Sequence, residues 1–306
     1  MVSRKQAKVL LLVITVIWGY TWIPMKVGLE VLGPFSFSFY RFLLGALFLI
    51  PIAFRKSRPR IHKEDLGWLL LLGVLQTTAT FGFFMAGMKS LPAGTSSILA
   101  YTMPLWTYGL AWLFLSERLT AGKIGGLLLG IVGLVGVAGP EAAVGRGTLT
   151  GMVWVLAGAV CWGGSNVLVR ARFSRHEKLS LTAIQMVVGT VGLALLTLMF
   201  EPAFTPDRWS LSVVANLLFT GILSSAFAFV AWFTVVSVLG AGEAAVSALL
   251  VPVFAVFFGW LQLGETISAM QVAGVVLVLI GITLVQRKEP QKGSISTDRA
   301  TDAEQG

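Results

Sequence analysis

Arg41 is the one basic side chain set well inside an apolar run of helical length, about 10 Å from the nearer end of that run at 1.5 Å rise per residue. A cation deep in hydrocarbon costs about 2.5–3.5 kcal/mol, so this guanidinium has to face protein or water. Two readings stay open. Arg41 holds a carboxylate substrate, or it braces carbonyls at an outer helix end by reaching outward along its own stem, and the brace is preferred. Gln185 takes the matching place 144 residues later. Further polar and aromatic side chains fall inside apolar runs: Trp18 with Trp22, Trp162 with Asn166, Gln76 with Thr80, and Ser224 beside Ser225. Ser97, Tyr101, Pro104 and Tyr108 recur at helical spacing and form one polar-aromatic stripe, whose counterpart is Ala245, Leu249, Pro252 and Val256. Each of these side chains reads as a contact on a substrate path or as interhelical packing, where a hydrogen bond is worth about 0.6 kcal/mol. Pro104 and Pro252 each remove a backbone donor and clash with the carbonyl four residues back, so Ala100 and Ala248 are expected to present freed carbonyls at a bend.

This is the chemistry of binding and passage, not of catalysis. None of the apolar runs carries a carboxylate near its centre, and the only histidines, His62 and His176, stand in basic loops. A membrane-embedded enzyme would bring such groups together inside the bilayer or at one surface. The single cysteine, Cys161, excludes an internal disulfide and a cysteine metal site, and reads as a small packing residue beside Trp162. No metal, cofactor or enzymatic activity is expected, and there is no Gly-rich Lys-Ser/Thr loop to bind ATP.

The elements that must position these residues are apolar. The chain of 306 residues is 56% hydrophobic and 12% charged; a soluble domain carries about 25% charge, so the main solvent here is lipid. A helix needs about 20 apolar residues to cross a bilayer. Ten runs of that kind lie near 9–27, 34–54, 66–87, 94–115, 120–139, 152–170, 179–200, 211–234, 242–262 and 268–286. The first is read as an uncleaved anchor, and the polar segment 288–306 as a disordered cytoplasmic tail. The net charge of +9 does not mark nucleic-acid binding, because the basic residues are dispersed in short loops. With the N-terminus inside, eighteen basic residues fall on the cytoplasmic side and four (Lys26, Lys89, Arg146, Arg208) on the outer side. The positive-inside rule then predicts both termini in the cytoplasm of a multi-pass cell-membrane protein.

The chain is also written twice. Leu91-Pro92-Ala93-Gly94, Pro104, Glu117 and Gly126 recur 148 residues later as Leu239-Gly240-Ala241-Gly242, Pro252, Glu265 and Gly274. Trp18-Gly19, Lys26 and Gly45 recur after 144 residues as Trp162-Gly163, Arg170 and Gly189. Five runs per half is an odd number, so the halves must insert in opposite senses. The loops agree: five basic residues follow the second run, whereas the loop after the seventh, from Glu201 to Arg208, is net acidic. Glu117, Glu265 and Glu243 are read as structural carboxylates at the starts of runs five, ten and nine, where the helix dipole favours them. Thr120 and Ser268 are candidate N-caps of runs five and ten. Gly122, Gly126 and Gly130 allow a close helix contact, either within the chain or in a homodimer.

With these features the chain resembles the drug/metabolite transporter superfamily, in its ten-helix EamA-type branch. The resemblance rests on Trp-Gly in the first run of each half, Arg41-Phe42-Leu43-Leu44-Gly45, the two mid-run prolines, and the Leu-Ser-Glu-Arg-Leu-Thr and Leu-Gly-Glu-Thr-Ile-Ser junctions. It covers residues 8–287 and implies two repeats, 8–139 and 152–287, the second inverted. It implies that runs one to four and six to nine surround a central path, with five and ten outside. Alternating access and export of an amino acid or related amphipathic metabolite are expected, with toxic-compound efflux as the alternative and an enzyme or sensor as a remote third. The run-one glutamate of small multidrug antiporters is missing, and Arg41 stands without the paired cations a phosphorylated substrate would want.

Overall fold

The computed structural model describes residues 2–56, 62–116, 120–142, 145–201, 209–239 and 248–286. Among them every regular element is a helix. The first half holds α1 (Arg4–Gly28), α2 (Pro34–Lys56), α3 (Leu66–Gly73), α4 (Thr80–Met88), α5 (Ala93–Ala100), α6 (Met103–Leu115) and α7 (Ala121–Ala142). The second holds α8 (Arg146–Arg172), α9 (Lys178–Phe200), α10 (Leu211–Leu218), α11 (Ala228–Leu239), α12 (Leu250–Leu263) and α13 (Ala269–Gln286). Among the described residues seven helical stretches are long and apolar enough to cross a membrane, and three shorter apolar ones cover Ala121–Val137, Leu250–Leu263 and Ala269–Leu284. The outside of the bundle is oily, with Leu198 81%, Phe114 68% and Leu211 86% exposed, whereas Arg41, Gln185, Ser165 and Ser225 are buried. That distribution suits a protein whose surroundings are hydrocarbon.

Local chemistry sets the helix ends. Ser3 and Gln6 form a reciprocal capping box at the start of α1, and Ser210 caps α10 through the Val213 amide. Glu177 accepts from the Leu179 and Ser180 amides at the start of α9. Ser268 caps α13 as its sequence position implied, exchanging hydrogen bonds with Gln271. The stretches α6 and α12 stop in the same way, on left-handed residues 148 positions apart, Ser116 (φ 53°) and Gly264 (φ 64°). Glycine meets no steric cost in that conformation, and Ser116 does.

The repeat is visible in the irregularities as well. A π-helical stretch, Val74–Ala79, joins α3 to α4, and another, Phe219–Phe227, joins α10 to α11. Their cores are equivalent at the 148-residue offset. The helix break or bend expected at Pro104 and Pro252 is found a few residues before each proline. The chain breaks earlier, at Tyr101–Thr102 between α5 and α6, and at the turn residue Leu249 before α12. Pro104 sits in the first turn of α6, where a missing N–H is needed least. In the first half the expected bend within one continuous helix is replaced by two helices end to end, α5 and α6.

Helices pack across the halves in matched pairs. Gly19 of α1 meets Phe254 and Ala255 of α12, and Gly163 of α8 meets Trp106 and Thr107 of α6. Gly45 of α2 lies against Gly221 and Ser225, and Gly189 of α9 against Gly73 and Thr77. Each second contact is the first shifted by one repeat. The stretches α7 and α13 form the most extensive helix pair and touch the rest of the bundle only slightly, through α8 and α6. A methyl on Gly133 would lie 2.6 Å from the Gly274 carbonyl, and one on Gly281 would lie 2.5 Å from that of Gly126. Gly126, Gly130 and Gly133 of α7 therefore lie against α13 of the same chain, whereas Gly122 has open space beside it.

Candidate functional site

Where α2 crosses the second π-helical stretch, Arg41 is 5% exposed. Its Nε donates to Ser225 Oγ (3.1 Å), Nη2 to Ser224 Oγ (3.4 Å) and Nη1 to Met25 Sδ (2.9 Å). The guanidinium carbon stands 5.0 Å from the centre of the Phe42 ring and 4.8 Å from that of Phe81. Ser224 is the hub of the cluster: Thr21 Oγ1 donates to its hydroxyl (2.8 Å) and Trp18 Nε1 to its carbonyl (3.1 Å). No carboxylate and no backbone carbonyl among the described residues meets the cation. The preferred sequence reading of a brace on helix-end carbonyls is thus corrected. Arg41 turns inward to hydroxyls, a thioether and two rings.

The equivalent junction, α9 against the first π-helical stretch, is built with neutral groups. Thr77 Oγ1 donates to Gln185 Oε1 (2.7 Å), and Gln185 is 2% exposed. Thr77 corresponds to Ser225 and Gln185 to Arg41, so one architecture occurs twice with a charge in one copy only. Ser165, which corresponds to Thr21, turns back to the Trp162 carbonyl (2.7 Å).

Aromatic rings connect these clusters. Phe81 contacts Phe42 (4.5 Å between centroids), Phe84 (5.8 Å) and Trp162 (6.0 Å), and Phe84 contacts Trp22 (5.9 Å). Trp22, Trp162 and Arg41 are therefore brought together, by Phe81 and Phe84, which sequence reasoning did not single out. Nor did it single out Thr21, Met25 or Thr77, and Phe42 entered only as the neighbour of Arg41 in its motif. A ring on the α4 face toward α1 and α8 carries no distinctive sequence signal in so apolar a chain.

The other predicted residues divide. Trp18 packs its ring on Phe229 and Trp232 of α11. Thr80 Oγ1 is bound to the Leu75 (2.7 Å) and Gly158 (3.2 Å) carbonyls, so it ties α4 to α8. Asn166 donates to Thr107 Oγ1 (3.4 Å), and Gln76 is half-buried. Ser97 is buried with its hydroxyl unpartnered among the described residues. The single stripe through Ser97, Tyr101, Pro104 and Tyr108 does not form, because the helix break interrupts its periodicity. Tyr101 packs with the cluster around Trp22, whereas Tyr108 packs with Leu105, Leu249 and Val278, under the Lys123 ammonium (5.4 Å). Tyr108 therefore faces the α7–α13 side.

Glu265 is structural but serves a different helix from the one expected. Its carboxylate accepts from the Ala93 (2.5 Å) and Gly94 (2.9 Å) amides, the start of α5 in the other half. Lys26 Nζ donates nearby to the Met88 (2.6 Å) and Leu91 (2.7 Å) carbonyls after α4. Glu201 performs the same capping service for α2, at the Phe35 (2.7 Å) and Ser36 (2.8 Å) amides. Glu117 and Glu243 lie outside the described residues, as does the tail 288–306. A groove of about 330 Å³ opens beside Glu265 between Thr95, Val256, Phe257 and Trp260, away from Arg41.

The comparisons agree with this architecture. The EamA-like transporter family model matches residues 6–139 and again 149–287. The "Uncharacterized transporter YoaV" of Bacillus subtilis is 36% identical over 271 residues, 88% of this chain and 92% of that protein. The "Probable terminal-alkyne amino-acid exporter" of Streptantibioticus cattleyicolor is 30% identical, over 90% of this chain and 92% of its own. The "Probable amino-acid metabolite efflux pump" of Salmonella typhimurium is 27% identical, over 92% and 94%. A solved crystal structure superposes with TM-score 0.63 at 19% identity, covering 92% of this chain and 96% of that one. That likeness is one of fold.

Proposed function

This chain belongs to the EamA-like transporter family, and on that premise we propose a secondary carrier that works by alternating access and exports an amino acid or related amphipathic metabolite. In this reading ten helices cross the cell membrane as two inverted repeats of five, with both termini in the cytoplasm. The observation that carries it is the doubled junction: Arg41 of the first half on Ser225 of the second, and Gln185 of the second half on Thr77 of the first. In opposed orientations the two junctions sit toward opposite membrane faces, so one can loosen while the other holds. Exchange of that kind moves access from one side to the other around a fixed site. The named activities of the Salmonella and Streptantibioticus relatives support the substrate class. The rings of Trp22, Phe81, Phe84 and Trp162 also favour a second reading, efflux of planar apolar compounds.

Purified protein in proteoliposomes, offered a panel of amino acids, amines and organic acids with and without an imposed pH gradient, tests the proposal. Counterflow of at least one amino acid is the expected result. Counterflow of planar toxic compounds alone shifts the conclusion to the second reading, and no movement of any solute sinks both.

A further inference from the structure

We infer that Arg41, with Ser224 and Ser225, is the point that recognises a carboxylate on the transported molecule. The inference rests on the carrier reading above and specifies what the carrier selects: a monocarboxylate with an apolar body.

Arg41 has more donors than partners. A guanidinium offers five N–H groups in a planar fork. Three are used here, one of them on a thioether, which is a weak acceptor, and one across 3.4 Å to Ser224. No partner is charged. Burial of a cation among neutral groups is costly unless a matching anion completes the site.

The second half of the chain is an internal control. Gln185 holds the same place between the same kinds of helices, with a hydroxyl of the facing π-helical stretch on its side chain. A neutral amide is therefore sufficient for this junction, and the charge on Arg41 exceeds what packing requires. The neighbouring groups fit a carboxylate. Its two oxygens match the Nη1–Nη2 edge of the guanidinium, a strong bidentate arrangement. To take that edge they displace the Met25 sulfur and the long contact to Ser224, and because Arg41 and Met25 are buried the site has to open first. The Ser224 hydroxyl, now an acceptor, can rotate to donate to the anion, while the Ser225 hydroxyl, which donates to the Thr220 carbonyl (2.9 Å), keeps Nε in place as its acceptor. Both lie in a π-helical segment, an irregularity found often at functional sites. The rings of Phe81, Phe84 and Trp22 lead away from the guanidinium as a packed aromatic row, with Phe84 and Trp22 buried here, and they line the apolar route that has to part to admit the rest of the molecule.

The test uses the full-length protein in detergent and three probes: L-phenylalanine, L-phenylalaninamide and 3-phenylpropanoate. Binding is read from tryptophan fluorescence and from the ligand-induced rise in Tm, for wild type and for Arg41→Gln and Arg41→Lys. Arg41→Gln copies the residue that the other repeat already uses, and its Tm without ligand reports whether it folds. The expected result is binding of the two carboxylates and not of the amide by wild type. Arg41→Gln should bind the carboxylates at least about tenfold more weakly, the scale of a lost charged hydrogen bond, with Arg41→Lys between. Equal binding of amide and acid by wild type, unchanged carboxylate affinity in a folded Arg41→Gln, or binding of none of the probes overturns the inference. Counterflow of an amine or another non-acid in proteoliposomes would then leave the carrier standing without this site, whereas failure of all solutes there removes the carrier reading itself.

Discussion

The carboxylate of Glu265 accepts the first two amides of α5, a helix in the opposite half of the chain, and it fits there because Gly259 leaves room. A methyl on Gly259 would strike Oε2. Glu265→Ala should therefore destabilise the protein by about 1–2 kcal/mol, the cost of a lost helix cap. Gly259→Ala should produce the same defect by displacing the carboxylate, and the double variant should fall short of the sum. Thermal unfolding in detergent of the three variants checks this, and additive losses would separate Gly259 from the cap. The chemistry of Glu265 was legible, since an acid beside a helix start is favoured by its N–H groups. Its partner was not. A local reading credits the nearest helix start, α13, whereas the folded chain brings one from 171 residues away. Arg41 shows the converse case: its depth in an apolar run was legible, but the direction of its side chain depended on Ser224 and Ser225 of another helix.

At the scale of elements the prolines pointed to helix breaks, but the exact place of each break was not legible in sequence. A proline removes a donor at a known position, but whether the chain bends there or divides just before it depends on what packs alongside. Pro104 follows the break and occupies the first turn of α6. Pro104→Ala should accordingly change stability by less than about 1 kcal/mol, against the roughly 3 kcal/mol that separates proline from alanine inside a helix. Gly163→Ala should cost more, about 1–3 kcal/mol, because its methyl would meet the Thr107 amide nitrogen at 2.9 Å and Trp106 Cβ at 3.0 Å. Melting of the two variants side by side decides the order, and a Pro104→Ala loss larger than that of Gly163→Ala would contradict it. The π-helical stretches left no mark in the sequence at all, since one extra residue per turn changes no residue type. They become legible only when Val74–Ala79 and Phe219–Phe227 are seen to occupy equivalent places.

For the whole molecule the repeat was the most legible property, because duplicated glycines mark duplicated contacts. Gly19 with Ala255 and Gly163 with Thr107 are one contact made twice, as are Gly45 with Ser225 and Gly189 with Thr77. Such exchange between halves is what a two-fold axis in the membrane plane would produce, and loop charge gives that axis its orientation. The proposed inversion makes a definite demand on the loops. With Cys161→Ser as background, single cysteines at Ser57 and Ser174 should react with a membrane-impermeant maleimide only after the cells are permeabilised. Cysteines at Lys89 and Arg146 should react in intact cells. Residues 57 and 174 follow the second and sixth apolar runs. In a chain whose halves insert in the same sense those runs cross in opposite directions and end on opposite faces, whereas inverted halves end both in the cytoplasm. Labelling of Ser57→Cys and Ser174→Cys from opposite sides would therefore leave the doubled junctions as packing within a duplicated bundle. Labelling from the same side would place Arg41 and Gln185 toward opposite faces of the membrane, as alternating access through this fold requires.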